Sequence, residues 1–372
     1  MWRLFGIKIT SFFVVILIAA NWINCTDSDY KYAIEDFDYE INVPEVMCKK
    51  DIFIGVDYIF NNESLNYPSK IKQVPSTGEI IVLDTKNVCI YVFSPEGKFI
   101  HSISRIGQGP GDILNPWYFN VDVNGDIYVY ERGNRRISIF SKEGKFYDSF
   151  RINKTIISGS NIYISPKKEI LVNMRGTGYF ITVFNREGDI VREIGKIPDN
   201  VQKMSLAMSS VSKCYSFTDE KGRYYLFIPI LLEIHIYNEN GRLIRKKRID
   251  EALYNKELAL GFVPVDKQLS TGDFSIKISF QDIAFKNNQF FVLTLPDDMP
   301  KNSTRCVSVL DEDLNLIKRF KLPIMGEDES RLPMTPKFIV LNDCESFLMT
   351  APDASKIYVF KPDSVLTNVS KK

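Results

Sequence analysis

The residues able to do chemistry in this chain are few or scattered. Histidine occurs twice, at His101 and His235, each within an alternating apolar stretch. A three-histidine zinc site is therefore impossible, and a serine triad would have to use one of these two with no G-x-S-x-G elbow in support. His235 alternates outward on its stretch and reads as a packing residue. The six cysteines, Cys25, Cys48, Cys89, Cys214, Cys306 and Cys344, form no C-x-x-C pair, which argues against a zinc knuckle or a thioredoxin-like motif. Asp122–Asp126 superficially suggests calcium. Its Gly125 stands fourth where an EF-hand loop needs the sixth, so a hairpin turn is the simpler reading. No cofactor is expected. One loop stands out, the glycine-rich Gly107–Asp112, whose backbone N–H groups could hold an anionic or carbonyl group or merely make a tight corner. Arg105, Gln108, Gly109, Asp112 and Trp117 belong to or flank it. Arg132 and Arg175, on other predicted loops, could clamp a carboxylate or sugar acid, or lie in solvent.

The elements that would position these residues come from an internal repeat. A short strand ending in a large residue recurs six times, at Ile90–Phe93, Ile137–Phe140, Ile181–Phe184, Ile234–Tyr237, Val307–Leu310 and Ile357–Phe360. Each alternates with period two. A second strand begins about fourteen residues earlier in the unit, at Ile80, Ile127, Ile170, Tyr224, Phe290 and Phe347 in turn, the fifth interval being stretched by an insertion at Asp297–Thr304. Four residues after the large one come Gly97, Gly144, Gly188 and Gly241, as a hairpin needing positive φ requires. Leu314 and Ser364 stand there in the fifth and sixth units, so those two turns are expected to differ. Units of this size are propeller blades. The expected fold is all-β, a six-bladed β-propeller of four-stranded antiparallel blades. Their bounds are Tyr67–Ile103, Trp117–Arg151, Asn161–Gly195, Lys213–Asp250, Ser279–Leu322 and Pro336–Pro362. The sixth lacks an outer strand, and part of Ile41–Phe60 is expected to supply it and close the ring. Lys196–Ser212, Asp250–Leu260 (a short helix) and Pro323–Met334 are additions to the blades.

The chain divides into a signal segment (1–24), a tether (25–39) and one propeller domain (40–372). Arg3 and Lys8 precede the apolar run Ile9–Ala20, the pattern of a secretory signal, with an uncleaved anchor as the alternative. Cys25 follows directly. Trp22–Cys25 resembles a lipobox, in which that cysteine is acylated, although it lacks the usual leucine and small residue. Ordinary cleavage near Ala20 with an incidental thiol is the other possibility. Removing the segment takes the 47 basic residues to 45 against 46 acidic ones, so charge gives no draw toward nucleic acid or acidic lipid. The basic run Arg242–Arg248 alternates along a predicted outer strand and fits a solvated blade edge that deters pairing.

Blade 2 carries a resemblance. Gly107–Pro116, Val121–Val129, Asn134–Phe140 and Glu143–Lys145 follow the opening, D-x-x-G-x-I-Y-V and N-x-R-I-x-V-F segments of the NHL repeat. With Arg105–Gly111 behind a lipoprotein-like signal, the chain resembles six-bladed propeller lipoproteins of Bacteroidetes, closely in blades 1 and 2 and by pattern alone in blades 4 and 5. That resemblance implies an exported propeller on the outer membrane or cell surface, or facing the periplasm, attached to the membrane only through a lipid. The expected role is binding or scaffolding for a glycan, peptide or envelope protein, with no nucleic-acid partner. A glycan hydrolase or lyase using acidic residues at the central channel is the alternative.

Overall fold

The computed structural model describes residues 37–363, apart from 39, 55–57, 60–63, 104, 158–160, 208–211, 254, 256–264, 272–279, 295–303, 324–336 and 352–354. The expected signal segment, Cys25, Ser364 and most of the Asp297–Thr304 and Pro323–Met334 segments lie outside the described residues. The chain opens on β1 (Glu45–Ile54) and then builds the blades in order. Blade 1 is β2 (Pro68–Gln73), β3 (Ile80–Asp84), β4 (Cys89–Phe93) and β5 (Phe99–Ile103). Blade 2 is β6 (Pro116–Val121), β7 (Ile127–Glu131), β8 (Arg136–Phe140) and β9 (Phe146–Arg151). Blade 3 comprises β10 (Ile162–Ile164), β11 (Ile170–Val172), β12 (Tyr179–Phe184) and β13 (Ile190–Lys196). Blade 4 comprises β14 (Tyr215–Thr218), β15 (Tyr224–Ile228), β16 (Glu233–Tyr237) and β17 (Leu243–Arg248). Blade 5 is β18 (Phe280–Lys286), β19 (Gln289–Thr294), β20 (Thr304–Leu310) and β21 (Leu316–Pro323). Blade 6 has β22 (Phe338–Val340), β23 (Phe347–Ala351) and β24 (Lys356–Pro362).

Every residue of β3, β4, β7 and β15 is buried, because the faces of a middle strand pack against neighbouring blades. Outer strands are half-solvated, and β17, which carries the basic run, is mostly exposed. Aromatic rings fill the blade junctions: Phe217 of blade 4 meets Phe290 of blade 5 at 5.9 Å, and Phe320 meets Phe347 of blade 6 at 4.9 Å. The turn glycines behave as their spacing predicts, with φ of 86° at Gly97 and 85° at Gly144. The fifth turn corrects the expectation. Leu314 adopts φ 65° and donates its N–H to Asp311 O at 3.0 Å, the same turn as Gly97 to Ser94. Its fully buried side chain gains apolar contacts that offset the left-handed backbone.

β1 closes the ring, and more firmly than a missing fourth strand requires. Cys48–Ile54 pair antiparallel with β24, completing blade 6. The preceding Glu45–Met47 pair parallel with Arg319–Lys321 of β21, so one strand staples blades 5 and 6 into a continuous eight-stranded sheet. Val46, Cys48 and Ile54 are buried by it. Helices occur at Asp199–Ala207, Ile249–Leu253 and Val265–Thr271, the second where a short helix was expected after blade 4.

Candidate functional site

The Gly107–Asp112 loop is pinned from within. The Gly109 N–H donates to Asp112 Oδ2 at 2.9 Å, and the same carboxylate pairs with Arg105. Arg136 reaches in from β8 and donates to the carbonyls of Gln108, Gly109 and Asp112 at 3.3, 2.9 and 2.7 Å. Asn134 holds the Gly107 carbonyl at 3.1 Å. A Cβ at Gly107 would collide with Asp112, so close approach within the loop requires glycine there. Of the two readings of this loop, the tight corner is the one its hydrogen bonds build, and Asp112 takes the place of the anion. Behind it the fully buried Glu131 accepts from Arg136 Nε at 3.0 Å, from Asn134, from the Leu114 N–H and from Ser138. Asp84 does the same in blade 1 for the N–H groups of Asn66, Tyr67 and Asn87. These acids are fasteners between strands and loops. Arg132 is exposed and stacks on half-buried Trp117 with 4.2 Å to the ring centroid, while Arg175 is exposed on the next blade. None of the seven expected residues lines the central channel cavities.

The channel itself is chemically distinctive, and its residues escaped the sequence reading. Inner strands present every second side chain to the axis. From β2 come Lys70 and Lys72, from β6 Tyr118 and Asn120, and from the blade 3 inner segment Asn161 and Tyr163. Blade 5 contributes Asp282 and blade 6 Lys337, while Lys213 and Tyr215 of blade 4 stand beside them, Lys213 acting on Lys70 and Lys337 lying 6.0 Å from the Tyr215 ring centroid. Asp282 is committed: its oxygens meet Lys337 Nζ at 3.2 Å and the Phe338 N–H at 3.4 Å, tying blade 5 to blade 6. Lys70, Lys72 and Lys213 have no carboxylate within ion-pair distance among the described residues. Lys213 Nζ sits 4.6 Å from the Tyr215 ring centroid and Lys70 Nζ 5.5 Å from that of Tyr118, cation–π contacts that hold the ammonium groups without neutralising them.

Crowding alters their chemistry. Burial, then the charges of Lys337, Lys213 and Lys72 against the pull of Asp282, brings Lys70 down to about 7. Burial and Lys337 bring Lys213 down to about 8. Lys72 is lowered too, by burial and Lys337, with Asp282 opposing. Tyr215 moves well above its ordinary value through burial and the Asp282 charge, and so stays a neutral phenol.

Two adjoining spaces lie along the inner strands. A narrow one of about 40 Å³ is lined by Lys70, Lys72, Tyr118, Asn161, Asp282 and Lys337. It shares Lys72, Ile283 and Phe338 with a wider cavity of about 450 Å³ at the far ends of the inner strands, where Tyr163, Phe217 and Phe285 present rings. In the narrow space the Asn161 side-chain oxygen is buried with no hydrogen-bond partner among the described residues. Lys286, at the wide end, bridges Gln73, Val340 and Asn342 at 2.7–3.1 Å and closes the floor between blades 1, 5 and 6. Among the described residues no cluster of histidine, cysteine and acidic side chains could hold a metal, and no helix is long and apolar enough to cross a membrane. His235 is buried in blade 4 between Glu233 and Tyr237, a packing role. Asp122 accepts the N–H groups of Asn124 and Asp126 at 2.9 and 3.0 Å, the hairpin turn that was expected.

Comparison with known proteins agrees with this architecture. A family described as a 6-bladed beta-propeller, DUF5128, matches residues 48–238. No curated protein matches the sequence. Among solved structures, a Bacteroides fragilis protein described as exported superposes with a TM-score of 0.55 at 10% identity, covering 87% of this chain and 100% of its own. A DUF4221 member from Bacteroides vulgatus gives 0.53 at 11% identity, covering 85% and 96%. A catalytically inactive virginiamycin B lyase of Staphylococcus aureus, solved with quinupristin, gives 0.52 at 12% identity, covering 85% and 100%. Identities this low speak for the fold alone.

Proposed function

The chain belongs to the DUF5128 family of six-bladed β-propellers, and we propose that it is an exported binding module whose central channel takes a small anionic ligand. One observation carries the proposal. Lys70, Lys72 and Lys337 line the narrow space with Lys213 close enough to act on Lys70, and the one aspartate among its described lining residues is already engaged by Lys337. Uncompensated charge in a confined site is costly unless an anion completes it. The rings at the wide end suit the apolar face of a sugar or an aryl group, so an acidic saccharide fits better than a neutral one. Paired-acid hydrolysis gains no support here. Asp282 and, at the wide mouth, Glu220 are the only carboxylates among the described lining residues, and Asp282 is spoken for.

Export is supported by the positive start and apolar run at the N-terminus and by the likeness to a protein described as exported. Acylation at Cys25 and attachment to the outer membrane belong to the same proposal, and mass spectrometry of the mature N-terminus tests them. On the other face of the propeller, the Arg132–Trp117 stack and Arg175 are the proposed contacts for a larger glycan, peptide or envelope protein.

The decisive test is a thermal-shift panel of acidic saccharides, carboxylates and acidic peptides beside their neutral counterparts. Acidic compounds should stabilise the protein, less so in high salt, and Lys72→Gln should reduce the effect. Equal behaviour of acidic and neutral compounds would discard the anion site.

A further inference from the structure

Resting on the anion-site reading above, the geometry points to covalent capture: Lys70 is placed to form an imine with a small anion that carries an aldehyde or ketone. Each part of that chemistry has a residue. Lys70 has no carboxylate partner among the described residues and lines the narrow cavity, which shares Lys72, Ile283 and Phe338 with the wider one. Lys72, Lys213 and Lys337 surround it with positive charge suited to a carboxylate, and Asp282 is the one opposing acid among the described residues. The Tyr118 ring walls the site, with Lys70 Nζ 5.5 Å from its centroid. A lysine desolvated beside other cations is the usual route to a nucleophilic amine at neutral pH.

The step balances without any oxidant or reductant. The Lys70 nitrogen lone pair adds to the carbonyl carbon, and the oxygen takes a proton to give a carbinolamine. A neighbouring ammonium then protonates the hydroxyl, the C–O bond breaks, and water leaves as the C=N bond forms. The two protons released by the attacking nitrogen replace those donated. The sum is amine plus carbonyl giving imine plus water.

At pH 7.5 an amine with a pKa of about 7 is roughly three-quarters unprotonated, against roughly one part in a thousand for an ordinary lysine. Reduced basicity gives back part of that advantage, leaving about tenfold or more over surface lysines such as Lys98 and Lys145. The experiment is reductive trapping of the full chain with glyoxylate and cyanoborohydride, followed by peptide mass spectrometry over time. Thermal shifts with acetate are measured in parallel. The expected result is carboxymethylation of Lys70 about tenfold faster than of surface lysines, slowed by acetate at Lys70 alone. Lys70→Arg should abolish this fast phase and Lys98→Arg should leave it intact. Should Lys70→Arg not fold, acetate protection of the wild-type chain decides. Uniform labelling of surface lysines in a chain that acetate still stabilises overturns the capture and leaves the anion site standing. Fast labelling at Lys72 or Lys213 instead overturns the assignment to Lys70. Absence of both acetate stabilisation and fast labelling removes capture and anion site together.

Discussion

Replacing Lys70 with glutamine should change how stability depends on pH, in a direction fixed by linkage. Lys70 binds its proton up to about 7 in the folded protein and to about 10.5 when unfolded. Between those limits the unfolded chain holds more protons, so the stability of the wild type rises with pH across that window. Below pH 7 the full cost of the charged lysine is present. At about 1.4 kcal/mol per pKa unit the interval corresponds to at most roughly 5 kcal/mol. Lys70 faces a solvent-accessible channel, so screening brings the expected figure to roughly 2 kcal/mol. Urea unfolding of wild type and Lys70→Gln from pH 6 to 9 measures it. The variant should be the more stable at pH 6, and its advantage should shrink steadily above pH 7. Buried Cys48, pushed up to about 12, loses stability as pH rises above the ordinary thiol range, but equally in both proteins. Parallel curves, or a variant weaker at every pH, would refute the idea that Lys70 is held against its own charge.

Three further outcomes test the frame around the channel. Deleting residues 45–54 removes the outer strand of blade 6 and its link to blade 5, and circular dichroism should show loss of cooperative unfolding; an unchanged melting temperature contradicts the clasp. Arg136→Met strands the buried Glu131 carboxylate and should cost about 3–5 kcal/mol, with part recovered in the double variant carrying Glu131→Gln. No recovery in the double variant would mean the two side chains act separately. Gly107→Ala forces a Cβ against Asp112 and should cost about 1–3 kcal/mol in chemical unfolding; a neutral result would mean that the loop shifts freely.

The propeller was legible because the sequence repeats the signals that build it. Aliphatic alternation and the turn glycine mark each blade, and a blade short of one strand at the C-terminal end demands a donor from the other end. The parallel contact of Glu45–Met47 with β21 could not be read, since register between distant strands leaves no local mark. Leu314 misled for a related reason: residue type predicts glycine at positive φ, whereas burial of the leucine in the blade 4–5 core sustains the same turn. The channel went unread although its signal was present. Lys70 with Lys72, Tyr118 with Asn120, Asn161 with Tyr163, and Lys213 with Tyr215 each alternate along an inner segment. On one isolated strand such a lysine is ordinary solvated surface. Ring closure turns six such surfaces toward a common axis and makes an electrostatic site of them. The glycine-rich loop attracted attention through composition, yet Asp112 and Arg136, both within a few dozen residues of it, satisfy its donors and acceptors.

The anion site and the cost of its lysines should titrate together. A ligand at a hundred times its dissociation constant stabilises the folded state by about 2.7 kcal/mol, similar in size to the roughly 2 kcal/mol assigned to Lys70. An anion draws most from the channel when Lys70 and Lys213 are both charged, below their values of about 7 and about 8. As pH climbs past 8 these ammonium groups lose their protons before any ordinary lysine does. Stabilisation by acetate should therefore be largest near pH 6 and fall well below half by pH 9. Binding at scattered surface lysines would stay level over that range, because their protons leave only near pH 10.4. A thermal shift independent of pH between 6 and 9 would place the anion elsewhere on the molecule and leave the channel lysines with a cost that nothing offsets.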